Sequence, residues 1–147
     1  LACCCDIVVA AEDASFADTH ARWGISPRGF VTQRWSRRAG LMRAKYLMLT
    51  SNFITVSQAE NMGLVARVVA PDKLEEAVKE IVDSLLNNSQ HAIAHLKTML
   101  NRGFEMDFAS AVRMEDMAAK WDRIGDTSAQ DKDHRLAAFR GKRTKSS

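Results

Sequence analysis

An acid and an imidazole stand two positions apart in the segment FADTHARWGISPRGFVTQR, residues 16–34. Imidazole takes up and gives back a proton near neutrality, its unperturbed pKa lying at about 6.5. A carboxylate beside it can hold one ring nitrogen protonated and leave the other basic. If the segment is extended, a period of two puts Phe16, Asp18 and His20 on one face and Ala17, Thr19 and Ala21 on the other. Asp18 and His20 are then placed to hydrogen-bond side by side. His20 has three open readings: proton transfer, the polar wall of a pocket, or a surface position. A turn-rich loop follows from Gly24 to Gly29 and holds Pro27. Its glycines supply backbone freedom and close approach. Trp23 and Phe30 flank the loop and either line an apolar pocket or pack in a core.

Other chemistry-bearing groups give less. Cys3, Cys4 and Cys5 are consecutive, which suits neither a disulfide nor a metal site. They read as small apolar residues in a reducing, cytoplasmic setting. His91 and His95 are four apart, but the segment lacks the acid of a zinc-binding helix, and His134 stands alone. No metal and no resident cofactor is expected. Arg34, Arg37, Arg38 and Arg43 form one basic cluster, and Arg140, Lys142, Arg143 and Lys145 another. Such clusters suit phosphate groups or form a solvated face. The formal net charge of +3 is too small to argue for nucleic acid as a partner. No apolar run is long enough for a membrane span.

The elements that must position Asp18 and His20 follow from hydrophobic periodicity. DIVVAAE, residues 6–12, reads as a buried strand and ASFADTHA as a second. Thr32 is the expected N-cap of a basic helix that ends at Gly40. A further helix runs over 41–49, with Leu41, Ala44, Leu47 and Met48 at helical spacing. Ser57 and Glu60 fit a capping box, Gly63 a helix stop, and LVARVVA a third strand. This alternation predicts an α/β layer over residues 1–70. Residues 71–147 read as all helix. Asp72 and Glu75 open a helix whose apolar stripe is Leu74, Ala77, Val78, Ile81, Val82, Leu85 and Leu86. Three more helices are expected over 90–102, 107–123 and 128–140.

Four segments together resemble the enoyl-CoA hydratase/isomerase (crotonase) superfamily: LACCCDIVVAAEDASFA, GISPRGFVTQRWSRRAG, LMLTSNFITVSQAENMGLVARVVAPDKL and AAFRGKR. Their order and spacing carry the match across almost the whole chain. The resemblance implies a crotonase-like spiral ββα core, present here as its C-terminal part, followed by a helical trimerisation segment. It implies an acyl-CoA substrate, with coenzyme A entering only as part of that substrate, and a homotrimer or dimer of trimers. In the family two backbone N–H groups polarise a thioester carbonyl, and carboxylates move protons at the adjacent carbons. By the resemblance, the N–H donors and the first carboxylate fall upstream of Leu1, so this chain alone is expected to be inactive. The second carboxylate falls at position 20, where the chain carries His20. That departure keeps isomerisation, thioester hydrolysis, carbon–carbon cleavage and plain CoA or RNA binding beside hydration as expectations. Trp23, Gly24, Pro27, Gly29 and Phe30 are the implied substrate-binding loop. Phe139 and Lys142 fall where the family's C-terminal segment reaches CoA.

Overall fold

The computed structural model describes residues 2–124 and 133–137. The chain divides into two compact units, Leu1–Ile81 and Val82–Ser147. In chain order the first unit contains β1 (Val9–Ala11), β2 (Ser15–Phe16), α1 (Val31–Ala39), α2 (Leu41–Thr50), β3 (Ile54–Thr55), α3 (Val56–Asn61) and β4 (Arg67–Val69). Single 3₁₀ turns lie at Ala2–Cys4, Ala21–Trp23 and Pro71–Lys73. β1 and β4 pair in parallel with Val9 opposite Arg67, and β2 and β3 pair antiparallel with Ser15 opposite Thr55. The α/β character expected for this region is present.

The strands are shorter than the sequence pattern suggests. The second is expected through residue 21 but ends at Phe16. The reason is local. An Asp18 carboxylate oxygen accepts the backbone N–H of His20 at 3.2 Å, and His20 adopts helical φ/ψ. A side chain that bonds its own backbone two residues on competes with the ladder and turns the chain. Likewise LVARVVA gives only three residues of β4, because Leu64 and Val65 turn into the core.

Two expected caps are displaced. Thr32 lies inside α1, whose N-cap is Phe30 at φ 66°, in the left-handed region. The capping box belongs to Thr55 and Gln58, not to Ser57 and Glu60. Thr55 Oγ1 accepts the Gln58 N–H at 3.3 Å, and Gln58 Oε1 accepts the Thr55 N–H at 2.9 Å. The chemistry is as anticipated but starts two residues earlier, where β3 ends.

The core of this unit is built from α1, α2, α3 and the strands: Ala10, Trp35, Ala39, Ala44, Leu47, Ile54, Val56, Ala59, Leu64 and Val65. Leu47 is fully buried. The many alanines let α1 and α2 approach closely, with Gly40 at φ 84° making the sharp corner between them.

The unit boundary falls within α4 (Leu74–Asn87). The second unit holds the rest of α4, α5 (Gln90–Gly103) and α6 (Phe108–Ile124). The side chain of Ser89 caps α5, and Asp107 caps α6 by accepting the Ser110 N–H at 3.0 Å. At Gly103 a Cβ would meet Ala111 at 3.5 Å, an ordinary van der Waals contact, so α5 and α6 pack closely there. The expected stripe of α4 is in place by spacing, yet only Ala77 is buried, and Leu86 is 65% exposed. Residues 133–137 are helical; the rest of the helix expected over 128–140 lies outside the described residues. Among the described residues no helix is long and apolar enough to cross a membrane.

Candidate active site

His20 Nδ1 lies 3.0 and 3.1 Å from the two carboxylate oxygens of Asp18. Asp18 is 5% exposed and His20 is half-buried. A carboxylate only accepts hydrogen bonds, so Nδ1 carries the proton and Nε2 is left as the basic nitrogen. Asp18 thus grips His20 twice, through the backbone N–H and through the ring. The side-by-side arrangement read from the period of two exists, but a turn makes it rather than a strand.

That turn is held from outside. The Arg22 N–H donates to Ser51 Oγ at 3.2 Å, and its guanidinium donates to the Ser51 carbonyl at 2.8 Å while lying over the Phe53 ring. Ser51 is buried and left-handed at φ 51°, closing α2. The Trp23 N–H reaches the Thr19 and His20 carbonyls, and the Ile25 N–H reaches the His20 carbonyl at 3.0 Å. Gly24 then reverses the chain at φ 63°. The end of α2 therefore sets where His20 stands.

Asp18 and His20 line a cavity of about 460 Å³. Ala21, Gly24, Ile25, Ser26 and Pro27 form one side, Thr32, Gln33 and Ser36 of α1 a polar wall, and Leu41, Ala44, Lys45, Met48 and Leu49 of α2 an apolar one. The structure thus gathers Asp18, His20, Gly24 and Pro27. Gly29 does not line this cavity; it sits in the loop at φ 70°. Trp23 and Phe30 line neither the cavity nor the core: they are 69% and 76% exposed. Trp23 ends a 3₁₀ turn and Phe30 stands in left-handed backbone at the N-cap of α1, and both side chains face solvent. Phe139 and Lys142 lie outside the described residues.

The α2 wall is absent from the expected site. Its signal was available in the 3,4-spacing of Leu41, Ala44, Lys45 and Met48. Leu47, read as part of the same face, belongs to the core instead.

Elsewhere the arginine cluster is tied to the fold. Arg37 donates to Gln33, Arg38 to the Cys5 carbonyl and Arg43 to the Asn61 carbonyl. The His91 and His95 rings stack with centroids 4.5 Å apart. The three cysteines are free thiols.

A short-stranded α/β unit thus presents an acid–imidazole pair to a cavity with one polar and one apolar wall. The family model for enoyl-CoA hydratase/isomerase matches residues 1–144, and the chain belongs to that family. A short-chain-enoyl-CoA hydratase of Clostridium acetobutylicum is 34% identical over 144 residues, covering 97% of this chain and 53% of that protein. A crotonyl-CoA hydratase of Syntrophomonas wolfei is 36% identical over 115 residues, 78% of this chain and 44% of the relative. The crystal structure of an enoyl-CoA hydratase from Bacillus anthracis superposes with a TM-score of 0.87 at 33% identity, covering 95% of this chain and 53% of the other. The fold is crotonase-like. The chain spans about half the length of these relatives.

Proposed function

We propose that the full protein binds an acyl-CoA thioester in the 460 Å³ cavity and hydrates a 2-enoyl-CoA. The carrying observation is the Asp18–His20 pair on the cavity wall, in a chain of this family. Hydration adds water across C2=C3: the oxygen bonds to C3, a proton bonds to C2, and the balance needs nothing but water. Negative charge builds on the thioester oxygen as C3 is attacked. His20 supplies what the second carboxylate supplies in the family. Nε2 takes a proton from the attacking water and delivers it to C2, and Asp18 fixes the ring and stabilises it while it carries both protons. The reaction calls for no cofactor beyond the coenzyme A of the substrate.

The exposed apolar residues of α4 to α6, among them Leu86, Leu96, Leu100 and Phe108, support assembly as a trimer or pair of trimers. The three free thiols support a reducing compartment such as the cytoplasm.

Steady-state hydration of crotonyl-CoA by the full protein tests this reading. His20→Ala lowers kcat roughly 100-fold, and His20→Glu restores part of it by returning a proton-transfer group. Equal turnover in all three proteins would overturn the assignment.

A further inference from the structure

Ser51 takes no part in the chemistry above, yet it and Asp18 are the buried polar side chains among the described residues. Both grip the turn that carries His20. Asp18 holds it at residue 20, through the backbone N–H and the ring. Ser51 holds it two residues further on, where its Oγ accepts the Arg22 N–H at 3.2 Å.

The backbone at this position favours another residue. Ser51 stands at φ 51° and ψ 29°, in the left-handed region that suits glycine. Its N–H closes α2 by donating to the Leu47 carbonyl at 3.0 Å, and its carbonyl accepts the Arg22 guanidinium at 2.8 Å. Glycine would keep both of those bonds and relieve the backbone. What glycine lacks is the hydroxyl, so the hydroxyl is what the strained position gains.

The turn explains why a hydroxyl is needed there. The first N–H groups of a helical turn have no partner within it. In the 3₁₀ turn Ala21–Trp23 the capping position is held by His20, whose side chain makes no capping bond. An ordinary N-cap side chain would accept the N–H of the second or third residue of the turn. Arg22 is the second, and Ser51 accepts its N–H instead, from the end of α2. The imidazole is thereby released from capping. Nδ1 goes to Asp18, and Nε2 is spent on no backbone group of the turn.

We propose that Ser51 is a positioning residue for proton transfer by His20. Its buried hydroxyl sits at the end of the helix that forms the apolar wall, caps the turn in place of the imidazole, and fixes the ring relative to the bound acyl group. This rests on the assignment of His20 within the acyl-CoA reading and adds the residue that aims it.

Ser51→Gly and Ser51→Ala in the full protein, with crotonyl-CoA as substrate, test the proposal, because both remove the hydroxyl and only glycine relieves the backbone. Both variants are expected to lose about tenfold in kcat with KM little changed, since a misplaced base slows the chemistry and leaves binding intact. Their melting temperatures part, Ser51→Gly melting higher than Ser51→Ala. A role confined to stability would instead make kcat follow the melting temperature. In a His20→Ala background, Ser51→Gly should cost nothing further, because the group it positions is gone. An unaltered kcat in Ser51→Gly would overturn the inference, and so would a full tenfold loss on top of His20→Ala. Full turnover by His20→Ala would sink the His20 reading and this inference together, whereas hydration that depends on His20 and is indifferent to Ser51→Gly would sink the inference alone.

Discussion

At the scale of single residues, Asp18 is the group whose removal separates positioning from mere presence of an imidazole. Asn at position 18 is nearly the same shape, but its amide can donate toward Nδ1 and favour the wrong tautomer. Asp18→Asn is expected to lower kcat at least about tenfold with little change in KM, and to move the pH profile of kcat. An unaltered profile would show that the carboxylate only packs. The cysteines give a second residue-level expectation. Partial burial pushes the Cys3 thiol above its ordinary 9.0, against the opposing pull of Arg38. A raised pKa means less thiolate at any pH below it, so Cys3 reacts more slowly. Iodoacetamide labelling read by mass spectrometry at pH 8 should modify exposed Cys4 and Cys5 before Cys3. The reverse order would contradict the assigned burial. The Asp18–His20 contact was legible in the sequence because only two residues separate the partners. The α2 wall of the cavity was not, because which face of α2 meets the cavity is a tertiary fact.

At the scale of elements, local chemistry decides where each piece begins. Thr55→Ala removes the Oγ1 half of the α3 capping box and leaves the backbone N–H to Gln58 Oε1; it should cost about 1 kcal/mol by denaturant titration. No loss would mean that packing of Val56 and Ala59 alone holds the helix. Phe30 occupies a left-handed backbone position at φ 66° with an exposed side chain, a poor choice for a bulky residue. Phe30→Gly should therefore stabilise the fold by roughly 1 kcal/mol, relief of strain exceeding the added chain entropy. Destabilisation would show that the ring makes contacts worth more than the strain. At the start of α6, hydrogen bonds from Ser110 hold the Asp107 carboxyl below its usual 3.8. Its stabilising effect is fully present above pH 3.8 and is lost as pH falls through the lowered folded-state value. Helix content of α6 should fall only in that acid range. The order of helices and strands was legible from periodicity. Strand lengths and cap positions were not, since β2 ends on a side-chain-to-backbone bond and β3 is two residues long.

At the scale of the molecule, the core of the first unit is small and alanine-rich, and the second unit leaves large apolar side chains in solvent: Leu100 is 72% and Phe108 86% exposed. Such faces suit a covering partner, as the proposed assembly supplies. Sedimentation of the full protein is expected to show a trimer or hexamer. A stable monomer would refute the proposed assembly. Family membership was legible because four motifs recur in order. The cavity's composition was not, because it joins a turn near residue 20 to a helix some two dozen residues later.

The central claim is that His20 moves a proton at the carbon beside the thioester carbonyl. Its most direct measurement is exchange of the C2 protons of butyryl-CoA in D₂O, followed by mass spectrometry in the full protein. This substrate cannot be hydrated, so only proton transfer is read. Deuterium should enter C2 with the unaltered protein and enter far more slowly with His20→Ala. Equal incorporation by both would contradict the account.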